Sequence, residues 1–345
     1  MLALAGAAML ALRLCAVFGA AEPDGDAYGH LHIARALADD PANLRAHWVW
    51  LPGWHYALAG WVALGGTHTG VRLAVALLQT LAPFVLHAWI ARRDERVAQL
   101  AALAFTLAPL PNVLGVSAQP EAPFAWLLLG ATVALARGRG VLAGVLLALA
   151  SLVRYEAWGA VGCLVAWALV ARLRRRPGPP LVAGLVPLGA IVLWIALRRV
   201  GDGSWLWFVA HTRDFAGGIR DASPLPGWVD TWLLPLWIAW RAFGPSVVLV
   251  PLGLARALRA LRAVPVPWLV PGGAFLFLTA GYLGGGVLAL PRYLTAFTPF
   301  ACVAMAEAAL ALGRSGRRAQ LVAAGGLLVA LGAMTAFWYA RLDWG

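Results

Sequence analysis

Three carboxylates and two histidines crowd into residues 22–32, directly after the apolar stretch 2–20. Asp24 and Asp26 flank Gly25 in the segment DGDAYGH, residues 24–30. A carboxylate beside a second carboxylate accepts a proton more readily, so either one suits general base catalysis toward an attacking hydroxyl or amine. Asp26 also stands where a helix over 27–38 is predicted to begin, which favours a helix-capping role. The two roles are compatible.

Tyr28 and His30 follow the acid pair on the predicted helix and are candidate substrate contacts. His30 lies one turn after Asp26, although a single histidine near a helix start is often only solvated. A divalent metal ion would be compatible with the Asp, Glu and His side chains present, but no ligand spacing requires one. We therefore leave the metal ligands unassigned and expect no certain cofactor.

Two further motifs place ionisable residues at the ends of apolar runs. Glu121 follows Pro120 in SAQPEAPF, residues 117–124, where a carboxylate either stabilises a helix start or holds a substrate. Arg154 and Glu156 occur in SLVRYEAWG, residues 151–159. Charges at membrane depth are costly, so these two predict either substrate contacts or a structural ion pair.

Arg292 lies in LPRYLTAFTPF, residues 290–300, with no acidic residue nearby in sequence. The planar guanidinium can grip a phosphate with two hydrogen bonds. The alternative is an arginine that extends along apolar surface toward water. Its neighbour Tyr293 is a further candidate contact, and Arg213 and Arg220 are weaker phosphate candidates.

The amino-acid composition indicates that these motifs belong to a membrane protein. Of the 345 residues, 62% are hydrophobic and 12% charged, and the mean hydropathy is +0.78. All 27 basic residues are arginines, but they cluster between apolar runs, which argues for membrane topology and against nucleic-acid binding. The three cysteines fall inside apolar runs, so neither a disulfide framework nor a cysteine metal site is predicted.

Apolar runs of spanning length predict an all-α, polytopic membrane protein with about eleven transmembrane helices. The runs lie near 2–20, 71–91, 97–114, 122–136, 141–158, 159–173, 181–199, 232–254, 266–290, 293–312 and 320–339. Because the first run lacks a basic start and contains Arg13, we expect a span rather than a cleaved signal peptide. No soluble domain or internal repeat is evident, so we predict a single membrane domain, 1–345.

The segment 50–64 is apolar but short, broken at Pro52-Gly53 and rich in tryptophan. These properties favour an interfacial helix within the outer loop 21–70. Trp54 belongs to this segment and offers an aromatic face on which a sugar could stack. We therefore include it among the substrate-binding candidates.

Arginine clusters near residues 92–96, 137–139, 172–176, 256–262 and 314–318 occupy alternate loops. The positive-inside rule places these loops in the cytoplasm. Loops 21–70 and 200–230, and nearly all acidic residues, then face the other side. We predict a multi-pass protein of the inner (plasma) membrane with its site on the extracytoplasmic face.

The order of these motifs resembles the GT-C fold family of glycosyltransferases that use lipid phosphosugars, which includes protein O-mannosyltransferases and the aminoarabinose transferase acting on lipid A. The resemblance covers residues 1 to about 160 well and the remaining module, 161–345, only through Pro291-Arg292-Tyr293-Leu294. In residues 1 to about 160 the resemblance is carried by Asp24-Gly25-Asp26-Ala27-Tyr28, the aromatic segment 50–56, VRLAVALL, Gln119-Pro120-Glu121 and Arg154-Tyr155-Glu156.

The resemblance implies that a first-loop acid, Asp26 or Asp24, acts as the base and that Arg292 contacts the donor phosphate. Relatives commonly have two adjacent acids, whereas Gly25 separates them here, so both remain candidates. The implied partners are a polyprenyl-phosphate-linked sugar and an unknown acceptor, which the sequence does not identify. A multi-span transporter, or a flippase for lipid-linked sugars without transferase activity, is the alternative reading.

Overall fold

The computed structural model describes residues 1–221, 229–260, 266–288, 290–312 and 316–344. Within these ranges the chain is helical, and the β pairing is limited to a single bridge between Ala20 and Trp344. The all-α class predicted from sequence is confirmed. The α-helices are α1 Leu2–Gly19, α2 Asp26–Asp39, α3 Pro52–Ala63, α4 His68–Ile90, α5 Glu95–Thr106, α6 Pro109–Val113, α7 Glu121–Ala136, α8 Gly140–Val153, α9 Glu156–Leu173, α10 Val182–Asp202, α11 Trp207–Asp221, α12 Leu234–Phe243, α13 Leu249–Ala260, α14 Leu269–Leu283, α15 Thr298–Leu312 and α16 Arg317–Tyr339.

Helix length and composition give a smaller number of spans than the apolar runs predicted. Among the described residues, 8 helical segments are long and apolar enough to cross a membrane, and a bent pair, Glu95–Thr106 with Pro109–Val116, would make 9. Two further apolar helices, α7 and α8, have only 16 and 14 residues. The multi-span fold is confirmed, but the predicted number of about eleven is reached only if both short helices also cross.

A bend of 54° separates α5 from the segment that follows it. Pro109 stands at the break, lacks a backbone N–H and disfavours helical geometry in the residue before it. The Asn112 side chain donates hydrogen bonds to the carbonyls of Thr106 (2.8 Å) and Ala108 (2.7 Å), which lie on either side of the break. Arg13 in turn donates to the Asn112 Oδ1 atom at 2.7 Å, which fixes the bent segment against α1.

The first loop contains two helices that pack against each other through Leu31, Leu37 and Leu58. Gly53 lies so close to α8 that a Cβ atom there would come within 2.8 Å of the Leu152 carbonyl oxygen. The loop is therefore fixed to the bundle through backbone contact. Helix α3 has only 12 residues, too short for a span, and its interfacial position in the bilayer stays a prediction.

The segment Pro291–Leu312 runs through the centre of the bundle. In its most apolar 18-residue stretch 72% of the residues are buried, whereas the buried share is at most 39% in the other seven candidate spans. Cys302, Val303 and Met305 are almost completely inaccessible to solvent. The short 3₁₀ helix Pro291–Phe297, which carries Arg292, is continuous with this central helix, so the bundle core positions that arginine.

Candidate active site

Arg292 joins the acid pair of the first loop, although these residues are far apart in sequence. Its Nη1 atom lies 2.6 Å from Asp24 Oδ2, and its Nη2 atom lies 2.6 Å from Asp26 Oδ2. The guanidinium thus donates to one oxygen of each carboxylate. We call these three residues the cavity end of the charged cluster.

The two aspartates of the cavity end have different local roles. Asp26 is the first residue of α2 and its side chain caps no backbone group, whereas Asp24 Oδ1 accepts a hydrogen bond from the Asp26 N–H at 3.1 Å. The helix begins at Asp26, one residue earlier than predicted, so Gly25 occupies the N-cap position, and Asp24 rather than Asp26 provides the side-chain acceptor for an N–H at the helix start. Asp24 has both oxygens engaged, while the Asp26 side chain is 45% exposed.

Arg154 forms a second set of ion pairs deeper in the protein. Its Nη1 atom lies 2.6 Å from Glu121 Oε1, and its Nη2 and Nε atoms lie 2.8 and 3.2 Å from Glu156 Oε1. Burial alone would lower the pKa of Arg154, but the Glu156 and Glu121 carboxylates outweigh it and raise that pKa. We call Arg154, Glu121 and Glu156 the buried end of the cluster.

Glu121 and Tyr293 connect the two ends. The Glu121 Oε1 atom, which accepts from Arg154, also lies 3.6 Å from Arg292 Nε. The Tyr293 ring lies 4.6 Å from the Arg154 guanidinium carbon and 5.8 Å from that of Arg292. The sequence motifs around residues 24, 121, 154 and 292 thus meet in one cluster, and the structure pairs Arg154 with its carboxylates as the ion-pair alternative expected.

A cavity of about 390 Å³ opens beside the cavity end. Asp24, Asp26 and Arg292 line its charged part, and the apolar wall is built mainly by the bent segment after α5. The apolar lining residues are Pro109, Leu110, Val113, Leu114, Leu290, Pro291 and Trp338. A ligand with an anionic group and an apolar chain matches both parts of this surface.

Of the eight predicted substrate-binding residues, Arg292 alone lines this cavity. Glu121, Arg154, Glu156 and Tyr293 lie in the adjoining charged cluster, and the other three lie elsewhere. Tyr28 is 55% exposed and its ring packs 5.1 Å from that of His68. Trp54 donates its indole N–H to the Ala118 carbonyl at 2.9 Å, so it holds α3 against the loop before Glu121. His30 is buried. Their contact with substrate stays a prediction that this geometry does not support directly.

His30 instead begins a chain of three buried histidines that sequence reasoning missed. Its Nδ1 atom lies 2.8 Å from His55 Nε2, and His55 Nδ1 lies 2.9 Å from His47 Nδ1. Burial first, and nearby Arg154 and Arg292 next, lower the pKa of His30 to about 3. Burial likewise lowers the pKa of His55 to about 2 and that of His47 to about 4, so all three are neutral at pH 7.

A second group that the sequence did not reveal anchors the start of the first loop. Arg72 of α4 donates to the carbonyls of Val116 (2.7 Å), Ala20 (2.9 Å) and Ala16 (3.0 Å). Glu22 accepts from the Ala118 N–H at 3.2 Å. Both contacts tie the chain just before Asp24 to the loop just before Glu121, and the arginine inside VRLAVALL was the available signal.

A metal site has no obvious ligand set here. Within the ranges that the structure describes, no group of three or more His, Cys, Asp or Glu side chains is arranged to hold a metal ion. The cluster nevertheless combines four carboxylates with two guanidiniums, so acidic groups outnumber basic ones.

No protein-family model matches the sequence, and no curated protein matches it. Solved structures match over nearly the whole chain. ArnT from Cupriavidus metallidurans bound to undecaprenyl phosphate aligns over 99% of this chain with a TM-score of 0.64 and 20% identity, and apo ArnT has a TM-score of 0.67. The oligosaccharyltransferase AglB from Archaeoglobus fulgidus in complex with an inhibitory peptide and a dolichol-phosphate aligns over 99%, with a TM-score of 0.60 and 12% identity.

These neighbours confirm the GT-C fold that the sequence motifs predicted. The chain spans 65% of the length of ArnT and 56% of that of AglB. TM-scores of 0.60 to 0.67 establish a shared fold. Because the identities are 20% and below, activity and substrates must be argued from the site itself.

Proposed function

We propose that the protein is a glycosyltransferase that moves a sugar from a polyprenyl-phosphate donor to an acceptor on the extracytoplasmic face of the membrane. The observation that carries the proposal is the cavity end: a guanidinium held by two carboxylates at the charged end of an apolar-walled cavity. Structural neighbours solved with undecaprenyl phosphate and dolichol-phosphate support this class of lipid.

Donor binding would begin with an exchange of partners at Arg292. Its two Nη atoms, now engaged by Asp24 and Asp26, present the spacing that a phosphate accepts. The polyprenyl chain would lie along the apolar wall formed by Leu110, Val113 and Leu114. A carboxylate that loses its cationic partner accepts a proton more readily, so donor binding would also prepare the base.

The transfer step would then be an inverting displacement. Asp26 takes the proton of the acceptor hydroxyl or amine while that atom forms a bond to the anomeric carbon. The bond between that carbon and the phosphate oxygen breaks, and its electrons leave with the lipid phosphate. Arg292 stabilises the negative charge that develops on the lipid phosphate, because its guanidinium is already held in place by the surrounding carboxylates. Asp26 is favoured over Asp24 because Asp24 is engaged in capping α2.

The buried end would orient the cavity end through Glu121, which contacts both arginines. Arg154 already donates to Glu121 and Glu156, so it suits positioning better than direct phosphate binding. Glu121 Oε2 is buried and has no hydrogen-bond partner among the described residues.

The extracytoplasmic location rests on the arginine clusters, and reporter fusions test it. Fusions after residues 94, 138, 175, 260 and 316 should report cytoplasm, and fusions near 45, 118 and 215 the opposite side. A cytoplasmic signal at both 45 and 118 would place the acids where nucleotide sugars are available and would overturn the location.

Transfer assays with polyprenyl-phosphate sugars in membranes test the activity. Asp26→Asn should lower turnover by about 10²–10⁴-fold, because the amide cannot accept the proton, while donor binding remains. A transporter or flippase would bind the lipid and transfer no sugar in either form. Near-normal turnover in both Asp26→Asn and Asp24→Asn would eliminate a carboxylate base.

A further inference from the structure

A second cavity, of about 560 Å³, lies between α12 and the end of α16. Its lining includes Trp237, Trp240, Arg241, Phe337 and Arg341. The two charged residues in this lining are both arginines. A cavity with two cations and aromatic walls differs in charge from the first cavity, where two carboxylates flank the guanidinium.

The guanidinium of Arg241 is held between two indole rings. Its central carbon lies 4.5 Å from the Trp237 ring and 4.4 Å from the Trp338 ring, and Arg341 stacks on Phe337 at 3.9 Å. Stacking engages the flat faces of a guanidinium and leaves its N–H edges available. Neither arginine forms a salt bridge with any carboxylate in the described ranges.

The position of Arg241 makes an unpaired charge costly. It lies seven residues into the candidate span Leu234–Arg256, which corresponds to about 10 Å along the helix axis. An ionisable group at such a depth normally has a partner or a function. Arg341, two residues beyond the end of α16, adds a second positive charge to the same cavity, so an anionic ligand would relieve both.

Trp338 separates this cavity from the first one. Its ring stacks on Arg241 and its indole N–H donates to the Arg241 carbonyl at 3.2 Å, while the same residue lines the cavity of Asp24, Asp26 and Arg292. Both cavities therefore lie on the same side of the membrane. The second cavity is a neighbour of the proposed donor site rather than part of it.

We propose that the Arg241–Arg341 cavity binds the phosphate group of an anionic phospholipid from the bilayer. Basic pockets between transmembrane helices recognise such headgroups. Trp237, Trp240 and Phe337 are 50%, 48% and 44% exposed, which lets them contact the glycerol and upper acyl region of a lipid. The proposal does not depend on the glycosyltransferase activity.

Native mass spectrometry of the detergent-purified protein tests the site with phosphatidylglycerol and with phosphatidylcholine of the same acyl chains. We expect one phosphatidylglycerol to bind about tenfold more tightly than phosphatidylcholine, because both lipids carry the phosphate but only phosphatidylcholine adds a choline cation, which Arg241 and Arg341 repel. Arg241→Gln and Arg341→Gln should each lower that affinity about tenfold. The matched control Arg35→Gln, which removes an exposed arginine of α2, should leave it unchanged.

Two further variants distinguish this site from the donor site and from a folding defect. Arg241→Lys keeps the charge but loses the planar fork, so phosphatidylglycerol affinity should fall while the melting temperature is retained. Arg292→Ala should lose undecaprenyl phosphate and keep phosphatidylglycerol. Equal affinity for the two phospholipids, unchanged binding in Arg241→Gln, or loss of undecaprenyl phosphate in Arg241→Gln would each overturn the proposal.

Discussion

The cavity end and the buried end of the charged cluster share one chemistry but differ in access. At the cavity end the side chains of Asp26 and Asp24 are 45% and 26% exposed, while that of Arg292, at 17%, is nearly as buried as that of Arg154. At the buried end those of Arg154, Glu156 and Glu121 are 15%, 8% and 3% exposed. Partners at the cavity end can therefore exchange for a substrate group, whereas partners at the buried end are fixed by their surroundings.

This difference indicates that the buried end has a structural role and that the cavity end binds ligands. Removing one member of a buried ion pair is strongly destabilising, because the other charge is then buried without a partner. An accessible pair contributes little to stability but can bind and release charged ligands. Because Glu121 contacts both arginines, the fixed end sets the position of the exchangeable one.

The largest expected effect comes from Arg154→Met at the buried end. The change leaves the carboxylates of Glu121 and Glu156 without their cation, so the free energy of unfolding should fall by about 3–5 kcal/mol. Chemical denaturation in detergent, followed by circular dichroism, measures it. The matched triple variant, with Glu121→Gln and Glu156→Gln added, should recover most of the loss.

The comparison would fail if Arg154→Met kept its stability and lost only donor binding. That result would move Arg154 to the exchangeable end and make it a phosphate ligand, the role that sequence reasoning had allowed.

Arg292→Lys tests whether the cavity end binds the donor phosphate. Lysine keeps the positive charge but cannot give two parallel hydrogen bonds, so donor affinity should fall by roughly one to two decades, corresponding to about 1.5–3 kcal/mol. Arg292→Ala should be worse. Binding of undecaprenyl phosphate to purified protein measures the effect, and unfolding should change less than in Arg154→Met. Normal donor use by Arg292→Ala would contradict the assignment.

The histidine chain shows the consequence of burial for a titratable group. Folding lowers the pKa of His30, His47 and His55 to between about 2 and about 4. The unfolded chain therefore binds more protons below pH 6.5. The free energy of unfolding should be constant above pH 6.5 and fall on acidification, by at most about 1.4 kcal/mol per pH unit for each histidine. His47→Asn should flatten this dependence, and an unchanged slope would show that His47 does not contribute.

Apolar runs and charged motifs predicted the helical class and singled out all six charged residues of the cluster. Runs of apolar residues predict spans because length alone decides whether a helix can cross a bilayer. Arg292 could be recognised as an arginine without a local acid, but its partners lie 268 and 266 residues away, a pairing that the order of motifs alone does not specify.

The features that sequence reasoning missed depend on tertiary packing. His47 and His55 looked like isolated polar residues in an aromatic segment, and only the packing of α2 on α3 joins them to His30. Trp338 likewise reaches the cavity only because α16 packs beside the bent segment after α5. Each contact is set by how helices pack rather than by a motif.

Asp24 and Asp26 provide the finest test of the comparison, because both touch Arg292 yet only Asp24 supports the backbone. Asp24→Ala removes the acceptor for the Asp26 N–H, so the free energy of unfolding should fall by about 1 kcal/mol, the usual cost of a lost helix cap. Asp24→Asn keeps an acceptor oxygen and should be nearly as stable as the native chain.

In transfer assays Asp24→Asn should lose less turnover than Asp26→Asn, since Asp26 has the free oxygen that a base requires. Thermal unfolding and single-turnover rates of the three variants separate the two roles. A larger rate loss in Asp24→Asn than in Asp26→Asn would assign the base to Asp24 and would show that helix capping and proton transfer occur on the same carboxylate.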